Sequence, residues 1–349
     1  MAEKQFALGT FSVAGSAPFA GLVVDNQVIA LTALQPLCRA LGAPLTNTSS
    51  TLALLEDWEC NFASLQRAIA AIVAGEQGTD ALQAQFSPIA HLKTHAPVTP
   101  RQVLCSGANY FKHVVDLIVD QGAGATPETE GLNAEELRAA AERLMTERAT
   151  NGTPYAFIKA VSAVTGPFDT IELPYDASQP DWELELAVVI GRRARRVSRA
   201  DAMNYVAGYT IANDLSNRDL LYRPDVKGLG TDWVSCKSAP GYLPLGPYIV
   251  PAAFVPNPHD LQLTLKLNGQ VMQDESSADM IFDIARQIEY ISSRIELLPG
   301  DIICTGSPSG NGTHYNRFLR DGDVIESTIS GLGMQRNRFI AEKQPEAGQ

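Results

Sequence analysis

Between Asp181 and Ile190 the chain reads Asp-Trp-Glu-Leu-Glu-Leu-Ala-Val-Val-Ile, two glutamates set into an otherwise apolar run. In a strand, alternate side chains share a face. Trp182, Leu184, Leu186, Val188 and Ile190 then form one apolar face. Glu183 and Glu185 lie side by side on the other, followed by Ala187, Val189 and Gly191. Small and apolar neighbours imply that this second face is largely buried too. Two buried carboxylates repel and raise each other's pKa unless a cation or protons compensate. Two arrangements satisfy the segment: a buried strand whose glutamates hold a divalent cation, or an edge strand with both glutamates solvated.

A second stretch bears on the choice. Tyr205-Val-Ala-Gly-Tyr-Thr-Ile-Ala is an apolar strand ending in Asn213-Asp214. A carboxylate at the end of a buried strand is well placed to be a third ligand. Glu183, Glu185 and Asp214, with no cysteine or histidine supplied nearby, form an all-oxygen set. Such a set suits a hard cation, Mg²⁺ or Mn²⁺ with Ca²⁺ admissible and Zn²⁺ disfavoured.

A formal net charge of -12 argues against a nucleic-acid partner, which calls for basic stripes. The one basic run, residues 192–196, follows a strand-like segment and reads as a solvated turn. The five cysteines are scattered without a CxxC pair, fitting reduced thiols better than disulfides or a zinc site. The first residues lack a signal-peptide pattern, and no apolar run approaches the roughly 20 residues that span a bilayer. These features predict a soluble, cytoplasmic protein with no membrane partner.

Along the chain, residues 5–31 read as strands with a hairpin at Asp25-Asn26, and residues 51–74 carry helical spacing. Residues 91–101, with Pro97 and Pro100, read as a linker. The expected organisation is a small α+β module over residues 1–95 and a larger domain over 103–340. Asn133 and Glu136 open a capping box for a helix over residues 133–148. Later strands are expected near 157–164, 182–191, 205–213, 260–267, 301–305 and 323–329, with a helix near 278–293. Few long helices and many Gly and Pro junctions predict a sheet-rich, mostly β or α+β fold, barrel-like or sandwich-like. Neither GxGxxG nor GxxxxGK[ST] is present.

The ordered set of motifs resembles the fumarylacetoacetate hydrolase family. Glu183-x-Glu185 leads to Asn213-Asp214-Leu-Ser-Asn-Arg218-Asp219 and Trp233-x-x-x-Lys237-Ser238. Asn268-Gly269, Met280-Ile281-Phe282, Pro299-Gly300-Asp301 and Thr305-Gly306-Ser307-Pro308 follow. Upstream stand Asn109-Tyr110-x-x-His113-x-x-Asp116 and Phe157-x-Lys159. The resemblance spans about residues 103–337 and implies a mixed-sheet, barrel-like catalytic domain behind a small N-terminal module, usually dimeric.

Carried over by position, the resemblance makes Glu183, Glu185 and Asp214 the metal ligands and His113 a general base oriented by Asp116. Lys237 would stand near a developing oxyanion, with Tyr110, Lys159, Arg218, Gly306 and Ser307 as substrate contacts. The implied activity is metal-dependent hydrolysis of a C–C bond in an acylpyruvate-like or diketo acid, as in aromatic-compound catabolism. The alternatives are a decarboxylase, isomerase or lyase working through the same enolate, and an inactive metal- or ligand-binding protein.

Three departures stand out. Asp116 occupies a place where the family usually has Glu, and Leu221 one where a Gln often contacts substrate. The stretch from Asp116 to Phe157 is about thirty residues longer than expected. That insertion, about 117–153, contains the capped helix and a Gly-Ala-Gly-Ala stretch at 122–125, and reads as an enlarged lid or a surface insertion.

Overall fold

The computed structural model describes residues 4–122 and 131–344. The two-sided apolar pattern gives interior strands: Leu184–Ile190 and Val206–Asn213 are buried at every position. They pair antiparallel from Leu184↔Asn213 to Ile190↔Val206. Antiparallel contact with Ile302–Cys304 closes the other side of Leu184–Ile190, through Ala187↔Cys304. The edge-strand alternative for the two glutamates is thereby removed.

These strands sit mid-way in a twelve-stranded mixed sheet. On one flank follow Ile302–Cys304, Val103–Gly107 and Tyr155–Lys159, the first two pairing in parallel. On the other lie Leu243–Pro251 and Ala7–Ser12, then Phe19–Val24, Gln27–Ala30 and Ser87–Pro88. A five-stranded sheet runs Gln270–Ser276, Gln262–Leu267, Val324–Ile329, Gly333–Ala341 and Ile171–Leu173. The chain thus has the expected mixed α+β fold built on large mixed sheets, neither of which closes into a barrel among the described residues.

Asp25 and Asn26, at φ 49° and 61°, make the expected hairpin between Phe19–Val24 and Gln27–Ala30. The segment expected to link 91 to 101 instead contributes a strand, Lys93–His95, paired with Ala7–Ser12. Residues 1–95 and 103–340 also meet within the sheet through Leu8↔Ile249. Leu243–Pro251 carries three prolines and escaped the sequence pattern, since proline has no N–H to give a ladder. A register shift between Tyr209 and Ile211 accommodates it beside Val206–Asn213.

Helices Phe111–Gln121 and Ala134–Asn151 pack together over one end of the sheet. Their shared small core is Val114, Val115, Ala141, Met145, Ile281 and Phe282. Asn133 and Glu136 form the expected capping box. Of the stretch at 122–125, all but Gly122 lies outside the described residues.

Candidate active site

The strand register assembles the carboxylates. Glu183 precedes Leu184–Ile190 and its carbonyl accepts the Asp214 N–H at 2.8 Å. The Glu183 N–H in turn donates to Asn213 Oδ1 at 2.9 Å. Two residues on, Glu185 Oε2 accepts the Gly306 N–H at 2.7 Å, from the turn after Ile302–Cys304. Ligand atoms of Glu183, Glu185 and Asp214 all lie within 4.8 Å of one another, and all three residues are buried.

Three cationic side chains converge on this trio. Lys237 Nζ donates to Glu183 Oε2 at 2.5 Å and to Asp214 Oδ2 at 2.6 Å. Lys159, completely buried, donates to Asp214 Oδ1 at 2.7 Å and the Leu215 carbonyl at 2.9 Å. Arg218 bridges Asp181 Oδ2 at 2.9 Å and Glu183 Oε1 at 2.5 Å. Lys237 ends the short helix Trp233–Lys237, capped by Asp232, whose Trp233 ring stacks on Phe157 at 4.4 Å. Lys237 also lies 5.4 Å from the Phe157 ring, and Phe157 and Lys159 share a face of Tyr155–Lys159.

The charges divide unevenly. Burial alone would raise the Glu183 carboxyl, but Lys237 and Arg218 outweigh it and hold it far below the usual range. Glu185 has no cationic hydrogen-bond partner among the described residues, only a backbone N–H. Burial first, then Cys304, Asp214 and Glu183, drive its carboxyl well above the usual value. Of four acidic side chains (Asp181, Glu183, Glu185, Asp214) facing three cations, Glu185 is thus the one left without a hydrogen-bonded countercharge among the described residues. The donor set and the unpaired Glu185 both fit a hard divalent cation, which would leave a net positive charge of one for an anionic ligand.

His113 lies on the first turn of Phe111–Gln121 and is buried. Burial lowers its imidazole to about 4; Glu183 raises it and Arg218 lowers it further. Asp116 does not bind it. One Asp116 oxygen accepts Arg138 Nη2 at 2.9 Å, and the other accepts Ser309 Oγ at 2.7 Å. No His113–Asp116 hydrogen bond forms among the described residues; the Asp116 oxygens are turned to Arg138 and Ser309 instead. Asp116 resists burial through these donors and stays below the usual carboxylate range.

The other expected contacts are distributed around this centre. Tyr110 is fully buried; burial first, and the Glu185 charge second, keep its phenol protonated. Gly306 adopts φ +100°, and a Cβ there would stand 2.9 Å from Asn109 Cβ, so glycine is needed at this close approach. Ser307 Oγ accepts Gln273 Nε2 at 2.9 Å, which ties the turn down instead of leaving the hydroxyl free. Sequence reasoning missed Asp181, which accepts the Gly312 and Thr313 N–H groups as well as Arg218. Its place beside the glutamates was the only available signal. Asn109, quoted only as part of a motif, binds the Thr305 and Phe282 carbonyls and fixes the turn before Gly306.

Residues 102–340 match the fumarylacetoacetate (FAA) hydrolase C-terminal family. The chain belongs to the fumarylacetoacetate hydrolase family. It is 32% identical over 328 residues to the mitochondrial oxaloacetate tautomerase FAHD2A of Bos taurus, covering 93% of this chain and 88% of the relative. A 2,4-didehydro-3-deoxy-L-rhamnonate hydrolase of Sphingomonas sp. (strain SKA58) is 40% identical over 188 residues, 53% of this chain and 64% of the relative. The structure resembles maleylpyruvate hydrolase from Sphingobium sp. SYK-6 in complex with manganese(II) ion and pyruvate. That match has TM-score 0.66 and 25% identity, covering 97% of this chain and 100% of the other. As a member of the fumarylacetoacetate hydrolase family the chain is an enzyme of that superfamily with an acidic metal site, and its relatives are hydrolases, tautomerases and isomerases of oxo acids. No described helix is long and apolar enough to cross a membrane.

Proposed function

We propose that this enzyme catalyses proton transfer beside the carbonyl of a small 2-oxo acid, interconverting its keto and enol forms. The observation that carries this reading is the capture of Asp116 by Arg138 and Ser309, which leaves His113 without a hydrogen-bonded carboxylate among the described residues. The likeness to an oxaloacetate tautomerase over 93% of the chain supports the same chemistry.

Glu183, Glu185 and Asp214 would hold the cation, Mg²⁺ or Mn²⁺, with Ca²⁺ a weaker fit. When bound it would supply Lewis-acid polarisation of a chelating oxo acid. Arg218, anchored on Asp181 and Glu183, keeps donors for the substrate carboxylate, while Lys237, whose three N–H groups are held by Glu183 and Asp214, adds positive charge where the enolate develops. His113, neutral at pH 7 because burial holds its imidazole near 4, can accept the proton from the carbon beside the carbonyl. It then returns that proton to the enol oxygen, and no bond between heavy atoms changes.

A second reading, hydrolysis of an acylpyruvate, is favoured by the placement of Asp116 one helical turn from His113. There, water oxygen would bond to the acyl carbon. The C–C bond to the neighbouring methylene would break with its electron pair on that carbon, which takes a proton.

The test uses the metal-loaded enzyme with a 2-oxo dicarboxylate and an acylpyruvate, following enol absorbance and product mass. Accelerated keto–enol equilibration with unchanged mass is expected. Fragmentation at a comparable rate would replace the first reading with the second, and neither activity would sink both.

A further inference from the structure

We propose that Arg138 is a positioning residue that sets the outcome of the reaction: it binds Asp116, holds that carboxylate away from His113, and keeps the site at proton transfer instead of water addition. This rests on the proton-transfer reading above.

His113 and Asp116 stand three positions apart on the helix Phe111–Gln121. That spacing makes side chains neighbours, so the pair is within reach. Yet Arg138 takes one Asp116 oxygen and Ser309 the other. Arg138 belongs to the helix Ala134–Asn151, between Asp116 and Phe157. The contact therefore comes from a part of the chain outside the family motifs.

The helix does not depend on Arg138 for its seat. Ala141 and Met145 pack against Val114, Val115 and Phe282. Arg148 Nη1 donates to the Ala108 carbonyl at 2.7 Å. Arg286 donates to the Ala149 and Gly152 carbonyls at 2.6 and 2.5 Å. Removing Arg138 thus frees one carboxylate oxygen without undocking the element that carries it.

The chemistry explains why this matters. When water is the nucleophile, a carboxylate behind an imidazole orients it toward that water and stabilises the imidazolium that forms. The charges facing His113 are Glu183 and Asp181, Arg218, and the Asp116 that Arg138 holds. Facing Asp116 are Arg138 and His314, with Ser309 donating, while Lys112 and Asp279 sense its charge. Freed from Arg138, Asp116 becomes the acceptor closest along the helix to the imidazole.

The experiment uses full-length, metal-loaded enzyme and the variants Arg138→Gln, Arg138→Lys, Ser309→Ala and Arg138→Gln/Asp116→Asn. Two readouts are taken: the ratio of fragments to tautomer from an acylpyruvate, and the His113 imidazole titration by NMR. Arg138→Gln should raise the ratio about tenfold and move the titration up by about one unit, each worth about 1.4 kcal/mol. Arg138→Lys should stay near the parent. Ser309→Ala should shift both in the same direction by less, and adding Asp116→Asn should cancel both shifts. A loss of thermal stability in Arg138→Gln with parental ratio and titration would overturn the proposal. If the parent forms no tautomer, the function reading has failed, and the NMR titration still judges Arg138 by itself.

Discussion

The two halves of the site are built in opposite ways. The carboxylate half stands on interior strands, where Leu184↔Asn213 and the Asp214 N–H to Glu183 carbonyl bond fix each ligand through backbone register. Its countercharges, Lys159 and Lys237, are as buried as the acids they meet. The histidine half stands on a helix at the sheet's end, and its acid is fixed by side chains, Ser309 and the 48% exposed Arg138. Backbone register resists change because a one-residue slip would carry Glu183 and Glu185 to the opposite face of the strand. A partly exposed ion pair is weak, screened by salt and easily rearranged. On the proposed reading, the carboxylate geometry is rigid while the fate of the proton is adjustable.

Predictions that test this contrast begin with the strand half. Glu185→Gln removes the one ligand without a cationic partner. Metal affinity measured by calorimetry should fall by more than the roughly 10–100-fold typical of an outer-shell change, and activity should vanish. Retained metal binding would dismiss the trio. On the helix half, His113→Asn should lower turnover by about 10²–10⁴-fold and leave metal affinity unchanged. A simultaneous loss of metal would mean that the halves are not separable.

Lys159→Met leaves Asp214 with a buried, partly uncompensated charge. Chemical denaturation of the metal-free protein should show a loss of about 3–5 kcal/mol, the range for breaking a buried pair. Asp214→Asn in the same background should recover part of it; additive losses would deny the coupling.

The smallest effect belongs to Asp116. Its folded pKa lies below the unfolded value, so its stabilisation is present above the unfolded value near 3.9 and is lost as pH falls through the folded one. Asp116→Asn should therefore flatten the acid side of a melting-temperature profile slightly, and added salt should shrink the difference. A salt-independent shift of many degrees would make Asp116 as structural as the strand carboxylates.

Much of the carboxylate half was legible. Period-two alternation in Asp181–Ile190 placed both glutamates on one face, and the Asn213-Asp214 ending pointed to the third ligand. The capped helix was legible from Asn133 and Glu136, because capping is local chemistry. Lys93–His95 and Leu243–Pro251 were not, since short or proline-bearing strands owe their existence to neighbours supplied by distant sequence.

The same line divides the chemistry. The sequence by itself determined which residue types meet on a strand face and which helix Asn133 caps, because periodicity and capping act over a few residues. Only the tertiary structure decided who neutralises whom. Lys159 lies 55 residues from Asp214, Arg138 lies 22 from Asp116, and Ser309 lies 193 from it. A hydrogen bond at 2.7 Å depends on where helices and turns dock, and no local pattern encodes that distance. So the metal trio could be read from the chain, while the release of His113 from its expected partner appeared only once Ala134–Asn151 was docked beside it.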